Sequence, residues 1–314
     1  GLNIFGAGSA TVINAGTIES FTGEDGPPKG GYGGDGGYGV NIVDANTATV
    51  TNGIVDEETQ EVTGGTISGG FAGIGIYGLY HNDGLDDIWG TEDDIPGAAT
   101  VTNYGEITGG MYGVEIFGSV EDTTATVINY AGATIEGGIV NGLNIRDVGT
   151  VWVDNYGTIK SGSDGYGGQE GIFISGVESG YLNSVTINNY EDGVIEGHGP
   201  SMMSGGCPDG PCGNEGIAVY INDDDDNTVD IANAGSITGG DAGVSIFGNS
   251  YTTATVTNEA TGLIEGSSGA GLNIFEAGNV TVDNAGTITG SGGWGYGGDD
   301  GSGGDGYDGF GGHG

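Results

Sequence analysis

The side chains in this sequence best suited to chemistry are carboxylates, and they come in clusters. Asp83, Asp86, Asp87, Glu92, Asp93 and Asp94 crowd around glycines, offering the several oxygen ligands that a hard cation such as calcium takes. Their spacing is not that of an EF-hand. Asp223 and Asp225 belong to a second acidic run, 223–226, which a solvated turn explains equally well. Cys207 and Cys212 are the only cysteines and flank a short Pro-Asp-Gly-Pro loop. They either close a local disulfide in an oxidising compartment or remain free thiols. Tyr104, Tyr130, Tyr156 and Tyr190 each follow an asparagine and form a strip open to two readings, a surface for sugar rings or a partner, or plain cross-strand stacking. A row of threonines (Thr11, Thr49, Thr100, Thr126, Thr186, Thr255, Thr281) resembles an ice-binding face, but Trp152 and Asp230 interrupt it and threonine is an ordinary exposed strand residue.

The balance of charge narrows the function classes. Among 314 residues there are 44 acidic and three basic side chains, a formal net charge of −41. Nucleic-acid recognition needs a basic footprint, which this composition excludes. No stretch approaches the roughly eighteen apolar residues of a membrane span, so no membrane insertion is expected. Paired carboxylates abound, yet no pair stands out at a definite separation as general acid and base. Arg146, Lys160 and Lys29 are the only basic residues, which argues against a lyase that abstracts a proton. His81, His198 and His313 lie apart and form no metal motif. The reading is therefore not an enzyme.

What positions these groups is a repeat. One unit recurs nine times: Gly-apolar-x-Ile, a variable turn, Thr-Val-x-Asn, then Gly-Thr-Ile-x-Gly. Aligning the copies gives four apolar columns that begin at Leu2, Ile4, Val12 and Ile18 and end at Leu272, Ile274, Val282 and Ile288. A spacing of two puts neighbouring members on one face of a strand, and β-branched residues suit that packed surface. Each unit thus predicts three short strands. One unit cannot bury its own apolar face, but stacked units enclose a continuous core. The expected fold is all-β, a right-handed parallel β-helix of about nine rungs, roughly 43 Å long at 4.8 Å per rung.

A further column is asparagine in every copy: Asn14, Asn52, Asn103, Asn129, Asn155, Asn189, Asn233, Asn258 and Asn284. Such a column predicts an internal ladder of amides bonded from rung to rung, at corners where asparagine tolerates left-handed backbone. The solenoid is expected over 1–290, with inserts at 21–38, 53–63, 81–97, 161–170 and 198–215, and a Gly/Asp/Tyr-rich tail over 291–314. Inserts leave a solenoid core untouched, so function would be grafted there.

The segment 303–311, with Asp305 and Asp308, resembles the Gly-Gly-x-Gly-x-Asp nonapeptide of calcium-binding RTX proteins. The recurring Ala-Thr-Val-Thr-Asn, as in 99–103, and Gly-Thr-Ile-x-Gly resemble the passenger regions of autotransporter and haemagglutinin-like bacterial surface proteins. That resemblance implies an extracellular or cell-surface β-helix used for adhesion or matrix. The sequence carries no translocator barrel, and any signal or anchor is expected to be removed or to lie outside it. Neither terminal unit shows a recognisable cap. The expectation is a subunit that polymerises head to tail into a surface filament, with calcium as the one candidate cofactor. An adhesin engaging surface glycans or other cells is the alternative, and a carbohydrate-active β-helix the third reading.

Overall fold

The computed structural model describes residues 1–20, 37–56, 58–59, 61–79, 96–118, 122–162, 169–176, 182–198, 214–221 and 226–291. Its strands form three nine-stranded parallel sheets, each taking one strand from every rung. Sheet A runs from Leu2–Phe5 in rung 1 to Ala270–Phe275 in rung 9. Sheet B runs from Ser9–Asn14 to Asn279–Asn284, and sheet C from Thr17–Glu19 to Thr287–Gly290. This is the expected right-handed parallel β-helix.

The registers reproduce the columns read from sequence. Leu2 lies beside Val40, Val40 beside Ile74, and the same step carries the first column to Leu272. Ile67, Ile107, Ile135, Ile159, Ile195, Ile237 and Ile264 fill the centre from sheet C and are fully buried. Sheet B strands alternate strictly between inward and outward residues, as in Thr47–Asn52, because a strand's side chains change face at every residue. The core is therefore one apolar column running the length of the coil.

The corner from sheet A to sheet B is built on left-handed backbone. Gly6, Asp44, Gly78, Asp147 and Glu276 occupy equivalent positions there with φ of 61°, 54°, 63°, 50° and 57°. The ladder asparagines, expected to hold such geometry, are not among the residues with positive φ. Each is instead the last residue of a sheet B strand, with extended backbone and its amide turned into the coil. The insert at 53–63 contributes a two-stranded antiparallel ribbon, Ile54–Val55 with Val62–Thr63.

Candidate functional site

The asparagines form an unbroken ladder inside the corner between sheets B and C. Each Nδ2 donates to Oδ1 of the asparagine in the next rung, from Asn14 to Asn52 at 2.9 Å through to Asn258 and Asn284 at 2.8 Å. Each also donates to a main-chain carbonyl of the next sheet C strand, as Asn155 does to Val194 at 3.1 Å. The ladder thus ties two sheets and two rungs through one side chain. A glycine stands just before the sheet C strand in every rung but the fourth, which has Ala133, and on most rungs the ladder lies close to it: a Cβ on Gly193 would come within 2.3 Å of Asn189 Oδ1.

The tyrosine strip lies on the outside of the same corner, on rungs 3 to 6. Its rings are parallel but unevenly spaced, with centroids 4.2 Å apart for Tyr104 and Tyr130, 6.0 Å for Tyr130 and Tyr156, and 3.9 Å for Tyr156 and Tyr190. The strip is therefore two close pairs. Ring faces within each pair are taken up by each other, so edges and hydroxyls point outward, leaving little open face for a sugar. Tyr190 donates to Asp154 Oδ1 at 3.4 Å. Burial, and then the neighbouring Tyr130 phenol, push the Tyr104 hydroxyl up to about 12.

A third surface was not legible as a site. Several outward positions of sheet A, namely Asn41, Glu115, Asn144, Ala218 and Ser245, are buried, although strand alternation points them away from the core. Tyr38, Phe71, Tyr77 and Tyr112 pack edge to face over its early rungs. Beneath them Glu115 accepts from the Tyr77 hydroxyl and, at 3.1 Å, from Asn144 Nδ2. Arg146 lies 5.2 Å from the Phe173 ring centroid and donates to Asn144 Oδ1 at 3.2 Å. Burial raises the Glu115 carboxyl above its ordinary range.

Further along, Glu170 and Glu215 enter sheet A on successive rungs, joined by a bond from Gly171 N to the Glu215 carbonyl at 3.1 Å. Burial pushes Glu170 up to about 7. Glu215 rises to about 8, from burial first and from the Glu170 charge second. Glu215 Oε2 is buried without a hydrogen-bond partner among the described residues. The one sequence signal was Glu-Gly-Ile at the same position of two consecutive units, 170–172 and 215–217.

The acidic candidates Asp83, Asp86, Asp87, Glu92, Asp93, Asp94, Asp223, Asp225, Asp305 and Asp308 all lie outside the described residues, as do Cys207 and Cys212. Among the described residues no group of three or more His, Cys, Asp or Glu is placed to hold a metal. Lys160 pairs with Glu136 at 3.1 Å on the outer face of sheet C.

The two terminal rungs present matching columns. Leu2, Asn3, Ile4 and Phe5 on rung 1 correspond to Leu272, Asn273, Ile274 and Phe275 on rung 9, and Val12, Asn14 and Ile18 to Val282, Asn284 and Ile288. Phe5 is 66% exposed and Phe275 46%. Fold and sites together define a parallel β-helix with an internal asparagine ladder. No family model, curated protein or solved structure matches the chain.

Proposed function

We propose that this chain is a structural subunit of an extracellular filament, in which rung 9 of one copy stacks on rung 1 of the next. The observation that carries the reading is the match of these rungs, identical at 14 of the 20 positions when 1–20 is laid on 271–290 without a gap. The ladder has a direction: Asn284 accepts from Asn258, and its own Nδ2 faces the side where a further asparagine would sit. Asn14 of another copy supplies that acceptor. Phe5 would extend the stack of Tyr220, Phe247 and Phe275, whose centroids are 4.7 and 4.8 Å apart. A contact between two different ends does not close on itself, so it propagates. The net charge of −41 opposes lateral clumping, and calcium, bound by the acidic inserts, would moderate that repulsion. The resemblance to autotransporter passengers supports surface display.

Analytical ultracentrifugation across a concentration series tests this. The native chain is expected to sediment as a growing series of multiples, and Val282→Asp as a monomer with unchanged circular dichroism. A native chain that stays monomeric at every concentration, with and without calcium, overturns it.

A second reading, a carbohydrate-active β-helix, has one observation in its favour: the buried carboxylates Glu115, Glu170 and Glu215 share the outward face of sheet A with Arg146. Reducing-sugar release from a glycan panel that is lost in Glu170→Gln would establish it.

A further inference from the structure

The tyrosine strip pairs phenols in a way that simple stabilisation does not require. In a regular parallel sheet neighbouring strands are evenly spaced at about 4.8 Å, so an evenly stacked column would show one repeating ring distance. Here the rings lean into two couples, 4.2 Å and 15° for Tyr104 with Tyr130, 3.9 Å and 5° for Tyr156 with Tyr190, with 6.0 Å between the couples. Tyr130 and Tyr190 are each 36% exposed, so a diffusing oxidant reaches one ring of each couple. Asp154 Oδ1 stands 3.4 Å from the Tyr190 hydroxyl, placed to take its proton.

We propose that the two couples are oxidative cross-linking sites, at which Tyr104 joins Tyr130 and Tyr156 joins Tyr190 as dityrosine. The reactant is a one-electron oxidant of phenols, such as a peroxidase working with hydrogen peroxide. Each phenol gives up one electron to the oxidant and its hydroxyl proton to solvent or, for Tyr190, to Asp154. The two phenoxyl radicals form one carbon–carbon bond between ring carbons adjacent to the oxygens. The hydrogens on those carbons then move to the oxygens and restore both rings. Two tyrosines and one hydrogen peroxide thus yield one dityrosine and two waters.

Geometry favours this coupling over others. The rotation about a tyrosine's second side-chain torsion is soft, and a quarter-turn of both rings brings their edges together with no movement of the backbone. Other described tyrosines are poorly placed. Tyr38 and Tyr77 meet edge to face at 5.8 Å, and Tyr77 is tied to Glu115. Tyr220 stacks on Phe247, which has no phenol. Tyr251 is exposed but has no ring beside it among the described contacts. The product would fasten rung 3 to rung 4 and rung 5 to rung 6 on the outer surface, opposite the amide ladder inside the same corner.

The test is peroxidase and hydrogen peroxide on the dilute folded chain, followed by cleavage at acidic residues and mass spectrometry. The expected products are two intramolecular cross-links, 104 with 130 and 156 with 190, each two hydrogens lighter than the parent peptides. Tyr190→Phe keeps the stack and removes the second cross-link while sparing the first. The chain unfolded in urea should lose this selectivity. Cross-links between Tyr130 and Tyr156 at equal yield, products dominated by Tyr251 between molecules, or no dityrosine in the folded chain would each overturn the proposal.

Discussion

Replacing Glu215 with glutamine should change stability in opposite directions at low and high pH. The ordinary carboxyl value of 4.5 is raised to about 8 in the folded chain, first by burial and then by Glu170. At about 1.4 kcal/mol per pH unit, keeping Glu215 ionised in the fold costs roughly 5 kcal/mol. Because the folded state holds its proton more tightly than the unfolded state, the cost is absent below the unfolded value near 4.5. It grows as pH rises from there and is complete above about pH 8. Glutamine never ionises, so the variant escapes the cost. Its amide brings two N–H donors to the place where Oε2 lies buried without a partner among the described residues, a penalty of about 1–3 kcal/mol relative to the protonated carboxyl. The variant is therefore expected to be more stable than the native chain by roughly 2–4 kcal/mol at about pH 9, and equal or weaker at about pH 4. A solenoid opens locally, so the assay is hydrogen exchange of rungs 6 and 7, supported by urea unfolding. Comparing two chains that differ at one residue cancels the general effect of the −41 charge. A stability difference of the same sign and size at both pH values would refute the assignment of Glu215 as a buried, proton-holding group.

Other expectations follow from the same structure. Asn155→Ala removes a link that accepts from Asn129 and donates to Asn189 and Val194; one amide proton of Asn129 and Asn189 Oδ1, each buried and short of that bond, predict a loss of roughly 2–6 kcal/mol in urea unfolding. Ile145→Ala, in a fully buried position of sheet A, should cost about 2–5 kcal/mol by the same measure. Lys160→Ala breaks an ion pair with Glu136 whose side chains are each about one-third exposed, so its effect should stay below about 1 kcal/mol.

Most of the scaffold was open to reading because its signal repeats. A single Val-x-Asn means little, but seven of them and two of Ile-x-Asn, all in register, fix the sheet B strands, the inward face and the ladder together. Val50 and Asn52 are both fully buried while Thr51 between them is not, as period two requires. The outward face of sheet A was hidden for the converse reason. Alternation assigns Glu115 and Asn144 to solvent, and nothing local announces that Tyr38, Tyr77 and Tyr112 pack above them. Glu170 and Glu215 likewise look like ordinary turn residues until burial shows their cost. The left-handed corner was assigned to asparagine by its intrinsic tolerance, whereas in the fold Asp44, Asp147 and Glu276 take that role. Side-chain propensity could not distinguish which of two corners bends that way. Uneven ring spacing in the tyrosine strip also has no sequence signature, since all four residues occupy equivalent positions.

The central claim is that copies join rung on rung, and cryo-electron microscopy of the assembled chain addresses it directly. The account predicts unbranched filaments with an axial repeat of nine rungs, about 43 Å with the joint included. Within the joint, Asn284 should meet Asn14, and Phe275 should lie on Phe5 at the same spacing as the rungs inside each subunit. Filaments joined side by side, or by any surface other than rungs 1 and 9, would contradict it.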